Sequence, residues 1–99
     1  MAHRVAPRAQ ADLEDIWLFV AQDSGSMGVA TRLVESITDR FLLLASFPYA
    51  GRARDREFGN GMRSFPVGEF VIVYQVEGSN VLILRVVHGR RDLEQLFGQ

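Results

Sequence analysis

The sequence predicts an α+β domain in which two antiparallel helices pack on a small antiparallel sheet. Two observations support this. Apolar residues recur at helical spacing through the first half of the chain. The second half contains two runs rich in β-branched residues, at 70–76 and 81–87, joined by a turn cluster. A length of 99 residues suits a single domain covering residues 1–99.

The first half begins with a short strand at residues 3–6, which Pro7 ends. Pro7 also suits the first turn of a helix, which is predicted over residues 8–22. A second helix is predicted over residues 27–45, and it stops before Pro48 because the residue preceding a proline disfavours helix. The short connection predicts that the two helices lie antiparallel.

The second half is predicted to be mostly extended. Residues 48–61 are interpreted as a loop, and residues 62–67 as a strand that precedes the hairpin. Residues from 90 onward are expected to form a short helical tail. The predicted order of elements is therefore β-α-α-β-β-β followed by that tail.

The hairpin is apolar on both of its faces. If Val76 pairs with Val81 and the register continues without interruption, neither face shows the polar alternation of a half-solvated sheet. The helix pair can cover one face, and no other predicted element is long enough to cover the other. We therefore expect a partner protein to cover the remaining apolar surface.

Composition excludes several classes of function. Net charge is −1, so there is no global electrostatic case for binding nucleic acid. The absence of cysteine excludes disulfides and thiol catalysis. His3 and His88 have no third ligand nearby in the sequence, so no metal site is expected, and no motif indicates a cofactor. No signal peptide or membrane-spanning run is evident, so we expect a cytoplasmic protein.

Three segments resemble a known family. They are FPYAGR after the second helix, MRSFPVGEFVIVYQV over the strand pair, and ILRVVHGRRDL at the end of the hairpin. In this order they resemble the RelE/ParE superfamily of bacterial toxins, which are partners in type II toxin–antitoxin modules. The resemblance covers nearly the whole chain, and LRVVHGRRD is most similar to the ParE branch.

The superfamily implies one of two activities. RelE-like members are ribosome-dependent mRNA endoribonucleases, whereas ParE-like members poison DNA gyrase. Aligned with the RelE pattern, this chain has Met62 and Ser64 in place of lysines, Val71 in place of an arginine and Phe97 in place of a tyrosine. Only Arg91 falls on a catalytic arginine of the RelE pattern.

These differences matter because RNA cleavage needs a base, an acid and charge neutralisation at the phosphate. Met62, Val71 and Phe97 supply none of them. The resemblance therefore favours a gyrase inhibitor without catalytic residues. A RelE-like ribonuclease and an inactive member that only binds its antitoxin are the alternatives.

The resemblance also implies partners and binding residues. The target, DNA gyrase, is expected to contact His88, Arg90 and Arg91. The cognate antitoxin is expected to be ParD-like, or another small DNA-binding antitoxin, with a disordered segment that folds on binding. Neither a membrane nor direct sequence-specific binding of nucleic acid is expected. The predicted antitoxin-binding residues are Val71, Val73, Leu84 and Val86 on the open face of the sheet, together with Trp17.

One buried charge is also predicted. The resemblance places Arg85 on the side of the sheet that faces the helices, where an unpaired charge is costly. Arg85 therefore needs a carboxylate, and Asp12 and Asp15 on the first helix are the candidates.

Overall fold

The structure is a computed structural model that describes residues 2–89, and it confirms the predicted α+β class and the order of the main elements. Two short elements are additional, and both lie in the segment at 48–61 that was predicted to be a loop. The predicted tail from residue 90 lies outside the described residues. The elements are β1 His3–Val5, α1 Pro7–Ser24, α2 Met27–Ser46, β2 Arg52–Ala53, α3 Asp55–Phe58, β3 Met62–Val67, β4 Phe70–Glu77 and β5 Asn80–His88.

The strands form one five-stranded sheet in the order β1-β5-β4-β3-β2. Neighbouring strands from β2 to β5 are antiparallel, but β1 pairs with β5 in parallel, with His3 beside Val81 and Val5 beside Ile83. A parallel pair needs a long connection, and all the other elements lie between these two strands in the chain. The sheet is therefore mixed rather than entirely antiparallel.

The turn between the two long helices is set by local chemistry. Gly25 has a φ of 69°, a left-handed conformation that suits a glycine at the end of a helix. Ser26 then begins α2, and its Oγ accepts a hydrogen bond of 3.1 Å from the amide of Val29. The two caps keep the connection short, so α2 returns alongside α1.

The main core lies between the helices and one face of the sheet. Its largest fully buried side chains come from α2 and from the central strands β4 and β5. Burying one such side chain contributes about 1.5–3 kcal/mol. No helix within residues 2–89 is long and apolar enough to cross a membrane. The largest fully buried side chains are Tyr74, Phe41, Ile37, Leu44, Ile72, Ile83 and Val81.

The register of the β4–β5 hairpin changes part of the way along. Val76 pairs with Val81 as predicted, and Tyr74 pairs with Ile83, but Val73 pairs with Arg85. Leu84 is therefore an extra residue, that is, a β-bulge.

The bulge changes which side chains face the helices. One inserted residue shifts the alternation beyond it, and here Val86 and Val87 exchange faces. Val86 is 2% exposed and belongs to the core on the helix side. Val87 instead packs with Val73 on the second face. The prediction that Val86 lies on the face away from the helices is therefore wrong.

The second face of the sheet is also largely covered. Val73 and Val87 are 2% and 5% exposed. Phe58, Met62 and Val71 pack against them, and Phe58 comes from α3. The expectation that no element of the chain could cover this face is wrong, because the segment predicted to be a loop supplies an aromatic side chain.

Candidate partner-binding surfaces

A partly buried ion pair joins α1 to β5. Arg85 donates to Asp12 through Nε at 2.8 Å and through Nη2 at 3.2 Å. The amide of Val86 donates to the same carboxylate at 2.9 Å. The Asp12 side chain is 11% exposed, whereas Asp15 lies at the surface. The prediction of a carboxylate for Arg85 is confirmed, with Asp12 as the partner rather than Asp15.

A small groove lies where β5 ends beside α1. The ring of His88 meets the ring of Phe70 edge-on, with centroids 5.3 Å apart. The groove has a volume of about 270 Å³ and is lined by Asp15, Ile16, Phe19, Phe70 and His88. His88 is exposed, as a contact with another molecule requires. Arg90 and Arg91, the other two predicted target contacts, lie outside the described residues.

The five residues predicted to bind the antitoxin do not form one surface. Val73 is buried on the second face and Val86 is buried beneath the helices. Val71 and Leu84 are half-buried. Trp17 is also half-buried, and its Nε1 donates to Thr31 Oγ1 at 3.1 Å, which joins α1 to α2.

Large exposed apolar side chains lie on the helices and on the turn after α2. Sequence reasoning missed them because it treated apolar helix residues as core. The available signal was that Leu18, Phe19 and Leu42 fall outside the core stripe of their helices. The most exposed are Leu18 at 53%, Phe19 at 67%, Met27 at 69%, Leu42 at 63%, Phe47 at 63% and Tyr49 at 70%.

The FPYAGR segment forms a turn that the sheet holds in place. Tyr74 Oη donates to the carbonyl of Pro48 at 2.8 Å and accepts from the amide of Gly51 at 2.9 Å. Burial raises the pKa of the Tyr74 phenol, which therefore stays protonated and able to donate. A Cβ on Gly51 would collide with that phenol and with the backbone oxygen of Ser64, which explains the glycine.

Arg63 completes this turn. Its Nε donates to the carbonyl of Gly51 at 2.9 Å, and its guanidinium lies 5.2 Å from the centre of the Tyr49 ring. The cation and the aromatic face attract each other. The turn therefore presents Tyr49 in a fixed position, although the ring is 70% exposed.

The positions that carry charged groups in the RelE pattern hold other chemistry here. Met62 and Val71 pack in the apolar cluster around Val73. Ser64 is 3% exposed, and its Oγ accepts a hydrogen bond of 2.8 Å from Arg54. Arg54 is in turn paired with Glu57 at 3.1 Å. This part of the second face is a packed, internally satisfied surface.

A helical hairpin on a five-stranded mixed sheet is also the architecture of a solved protein. A structure described as the chromosomal ParDE TA system from P. aeruginosa superposes with a TM-score of 0.77. The match covers 91% of this chain and 97% of that chain at 23% sequence identity. At this identity the match establishes the fold.

Sequence comparison then establishes the family. The family model for the ParE toxin of the type II toxin–antitoxin system parDE matches residues 4–93. Toxin ParE3 of Caulobacter vibrioides is 32% identical, over 89% of this chain and 86% of its own length. Toxin ParE1 of Mycobacterium tuberculosis is 30% identical, over 92% of each chain. The chain belongs to the ParE toxin family of type II toxin–antitoxin systems.

Proposed function

We propose that this ParE-type toxin inhibits DNA gyrase and is neutralised when it binds its cognate antitoxin. The observation that carries this proposal is the apolar packing at Met62 and Val71, where a ribonuclease needs groups that move protons and neutralise phosphate. Membership of the ParE family supports the same choice. In this proposal the toxin acts by binding its target and catalyses no reaction.

His88 is the first of the residues that contact gyrase in this proposal. This residue is exposed at the end of β5, and Arg90 and Arg91 follow it in the sequence. A side chain at the end of a central strand, such as that of His88, is held in place by the sheet while it remains accessible. We assign the gyrase contact to these three residues.

The antitoxin in this proposal is a ParD-like protein, and its docking surface is on α1. Leu18 and Phe19 are exposed there, and Phe19 forms one wall of the groove beside Phe70 and His88. A segment that folds on binding can place apolar side chains in such a groove. Trp17 lies next to Leu18 in the chain and ties this part of α1 to α2.

Purified gyrase tests the target. Incubation with this chain is expected to trap plasmid DNA in a cleaved form, and Arg90→Ala with Arg91→Ala is expected to abolish the effect. Arg56→Ala, at an exposed arginine elsewhere, is the control and is expected to retain it.

Two other results would contradict the gyrase proposal. Cleavage of mRNA in translating ribosomes, without an effect on gyrase, would establish the ribonuclease alternative and direct attention to His88 and Arg91. Neither activity, together with unharmed growth on expression, would identify a member that binds its antitoxin and poisons nothing.

A matched pair of variants tests the antitoxin surface. Phe19→Asp and Tyr49→Asp change side chains of similar exposure, 67% and 70%, in different parts of the fold. Calorimetric titration with the cognate antitoxin is expected to show a loss of affinity of tenfold or more for Phe19→Asp and little change for Tyr49→Asp. Equal losses would place the docking surface elsewhere.

A further inference from the structure

The outward face of α2 is a single exposed stripe. Residues spaced alternately by four and three positions fall on one side of a helix. On α2 this stripe lies opposite the side that carries the buried residues Ile37, Phe41 and Leu44. Every member of the stripe is exposed. The members are Gly28, Arg32, Glu35, Asp39, Leu42 and Ser46.

The charges on this stripe have no ion-pair partners within residues 2–89. The salt bridges in that part of the chain join Arg4 to Glu77, Arg8 and Arg85 to Asp12, and Arg54 to Glu57. Arg32, Glu35 and Asp39 belong to none of them. Their charges are therefore available to another molecule.

The order of side chains along the stripe is self-complementary. Consider two copies of α2 placed antiparallel, with a twofold axis passing between residues 35 and 36. Arg32 then lies opposite Asp39 of the second copy, and Leu42 lies beside Gly28 of the second copy. The symmetry makes each contact twice. Leu42 is 63% exposed, so each copy of this contact buries apolar surface.

We propose that the outward face of α2 binds the same face of a second copy of this chain, antiparallel, with Arg32 paired to Asp39 across the axis. A second copy of the chain fits this face because Arg32, towards one end of the stripe, can pair with Asp39, towards the other end, when the two helices are antiparallel. Gly28 and Ser46 are small, which lets the ends of the helices approach.

The size of the surface predicts a weak dimer. A helix of 20 residues is about 30 Å long, so a single helix pair buries less than a standard protein interface. The two Glu35 carboxylates lie on either side of the axis and repel each other, which weakens the pair further. The dimer is expected to form as protein concentration rises, and high salt weakens it because the ion pairs are exposed.

Sedimentation velocity on the full-length chain without antitoxin, over a range of concentrations, tests the proposal. Arg32→Asp and Asp39→Arg each place like charges across the axis, and each is expected to raise the dissociation constant tenfold or more. The double variant restores opposite charges and is expected to return the dimer. Glu14→Arg, at an exposed position on α1, is the charge-changing control and is expected to leave the dimer intact.

A second variant tests the apolar contact. Leu42→Glu is expected to abolish the dimer while circular dichroism shows an unchanged helical signal, because the side chain is exposed in the single chain. A chain that stays monomeric at every concentration would overturn the proposal, even if an added antitoxin bound to this face. So would a dimer that is insensitive to both single charge changes. Loss of the dimer in both single variants without recovery in the double variant would overturn the antiparallel pairing.

Discussion

The two halves of the β4–β5 hairpin differ in how they obtain their register. Between the turn and Tyr74, each residue pairs as simple alternation predicts. Beyond Tyr74 the pairing is displaced by the extra residue Leu84, and Val86 and Val87 face the opposite way from that prediction. Hydrophobic alternation therefore predicts a register only as far as the two strands contribute equal numbers of residues.

Asp12 binds the half of the hairpin that departs from alternation. β1 pairs with β5 only as far as Ile83, so it does not reach the backbone amide of Val86. The Asp12 carboxylate accepts a hydrogen bond from that amide and binds the guanidinium of Arg85. Beside the bulge, the Asp12 side chain therefore supplies the hydrogen-bond acceptor that a neighbouring strand would otherwise provide.

The largest effect is expected from removing this carboxylate. Asp12→Ala leaves the Arg85 charge and the Val86 amide without their partner, and such losses in a partly buried site cost about 3 kcal/mol. The free energy of unfolding from urea denaturation measures the effect. Asp15→Ala, on the exposed side of the same helix, is the control and is expected to change stability by less than about 0.5 kcal/mol.

Arg85→Leu should also destabilise the protein, because it leaves the Asp12 carboxylate buried without its cation. If Asp12→Ala were as stable as the parent chain, the part of the hairpin beyond the bulge would not depend on this carboxylate.

The next largest loss of stability is expected at Val86, and it is compared with the loss at Leu84, the extra residue of the bulge. Val86→Ala empties a buried site on the helix side and is expected to cost about 2 kcal/mol. Leu84→Ala removes more carbon but from a half-buried bulge, and it is expected to cost less than about 1 kcal/mol. Thermal or urea denaturation measures both. The reverse order would indicate a continuous register in which Val86 faces away from the helices.

A smaller loss of stability is expected from removing the hydroxyl of Tyr74. Tyr74→Phe leaves the Pro48 carbonyl and the Gly51 amide without their shared hydroxyl, which costs about 1–2 kcal/mol at neutral pH. Tyr49→Phe is a suitable control, since its ring is exposed. A loss for Tyr49→Phe equal to that for Tyr74→Phe would argue against a specific role for the buried hydroxyl.

The smallest effect is a dependence on alkaline pH. The pKa of Tyr74 is raised in the folded protein, so the unfolded chain releases this proton first as pH rises. Stability is therefore retained below the ordinary tyrosine pKa of about 10 and falls as pH rises beyond it, by at most about 1.4 kcal/mol per pH unit. Urea denaturation at several alkaline pH values measures this slope. Tyr74→Phe should have a shallower slope, and an unchanged slope would assign the alkaline loss to other groups.

Local patterns in the sequence were sufficient for the long elements. The stripes of α1 and α2, the strand at Met62–Val67 and the need of Arg85 for a carboxylate all follow from spacing, composition or the resemblance, and the structure confirms them. The short helix Asp55–Phe58 was missed, because Phe58 packs against residues distant in the chain and four residues carry little helical signal of their own.

Two features of the candidate surfaces were missed in the sequence. The two residues that follow the bulge at Leu84 bind a carboxylate some seventy residues away, which alternation along one strand cannot reveal. The exposed Phe19 and Leu42 were missed for a different reason: apolar residues in a helix are ordinarily assigned to a core, and their position outside the core stripe was not used. Both depend on how elements pack together rather than on any one segment.

The position of β5 has a consequence for synthesis. This strand follows every other described strand in the chain, yet it lies between β1 and β4 in the sheet. While a ribosome is still making residues 80–88, the emerged segment holding β1 has no neighbouring strand to join, and the apolar faces of both helices lack much of their cover. The sheet can close only once the end of the hairpin has left the exit tunnel. A chain truncated before residue 80 is therefore expected to remain unfolded and to have no toxic activity.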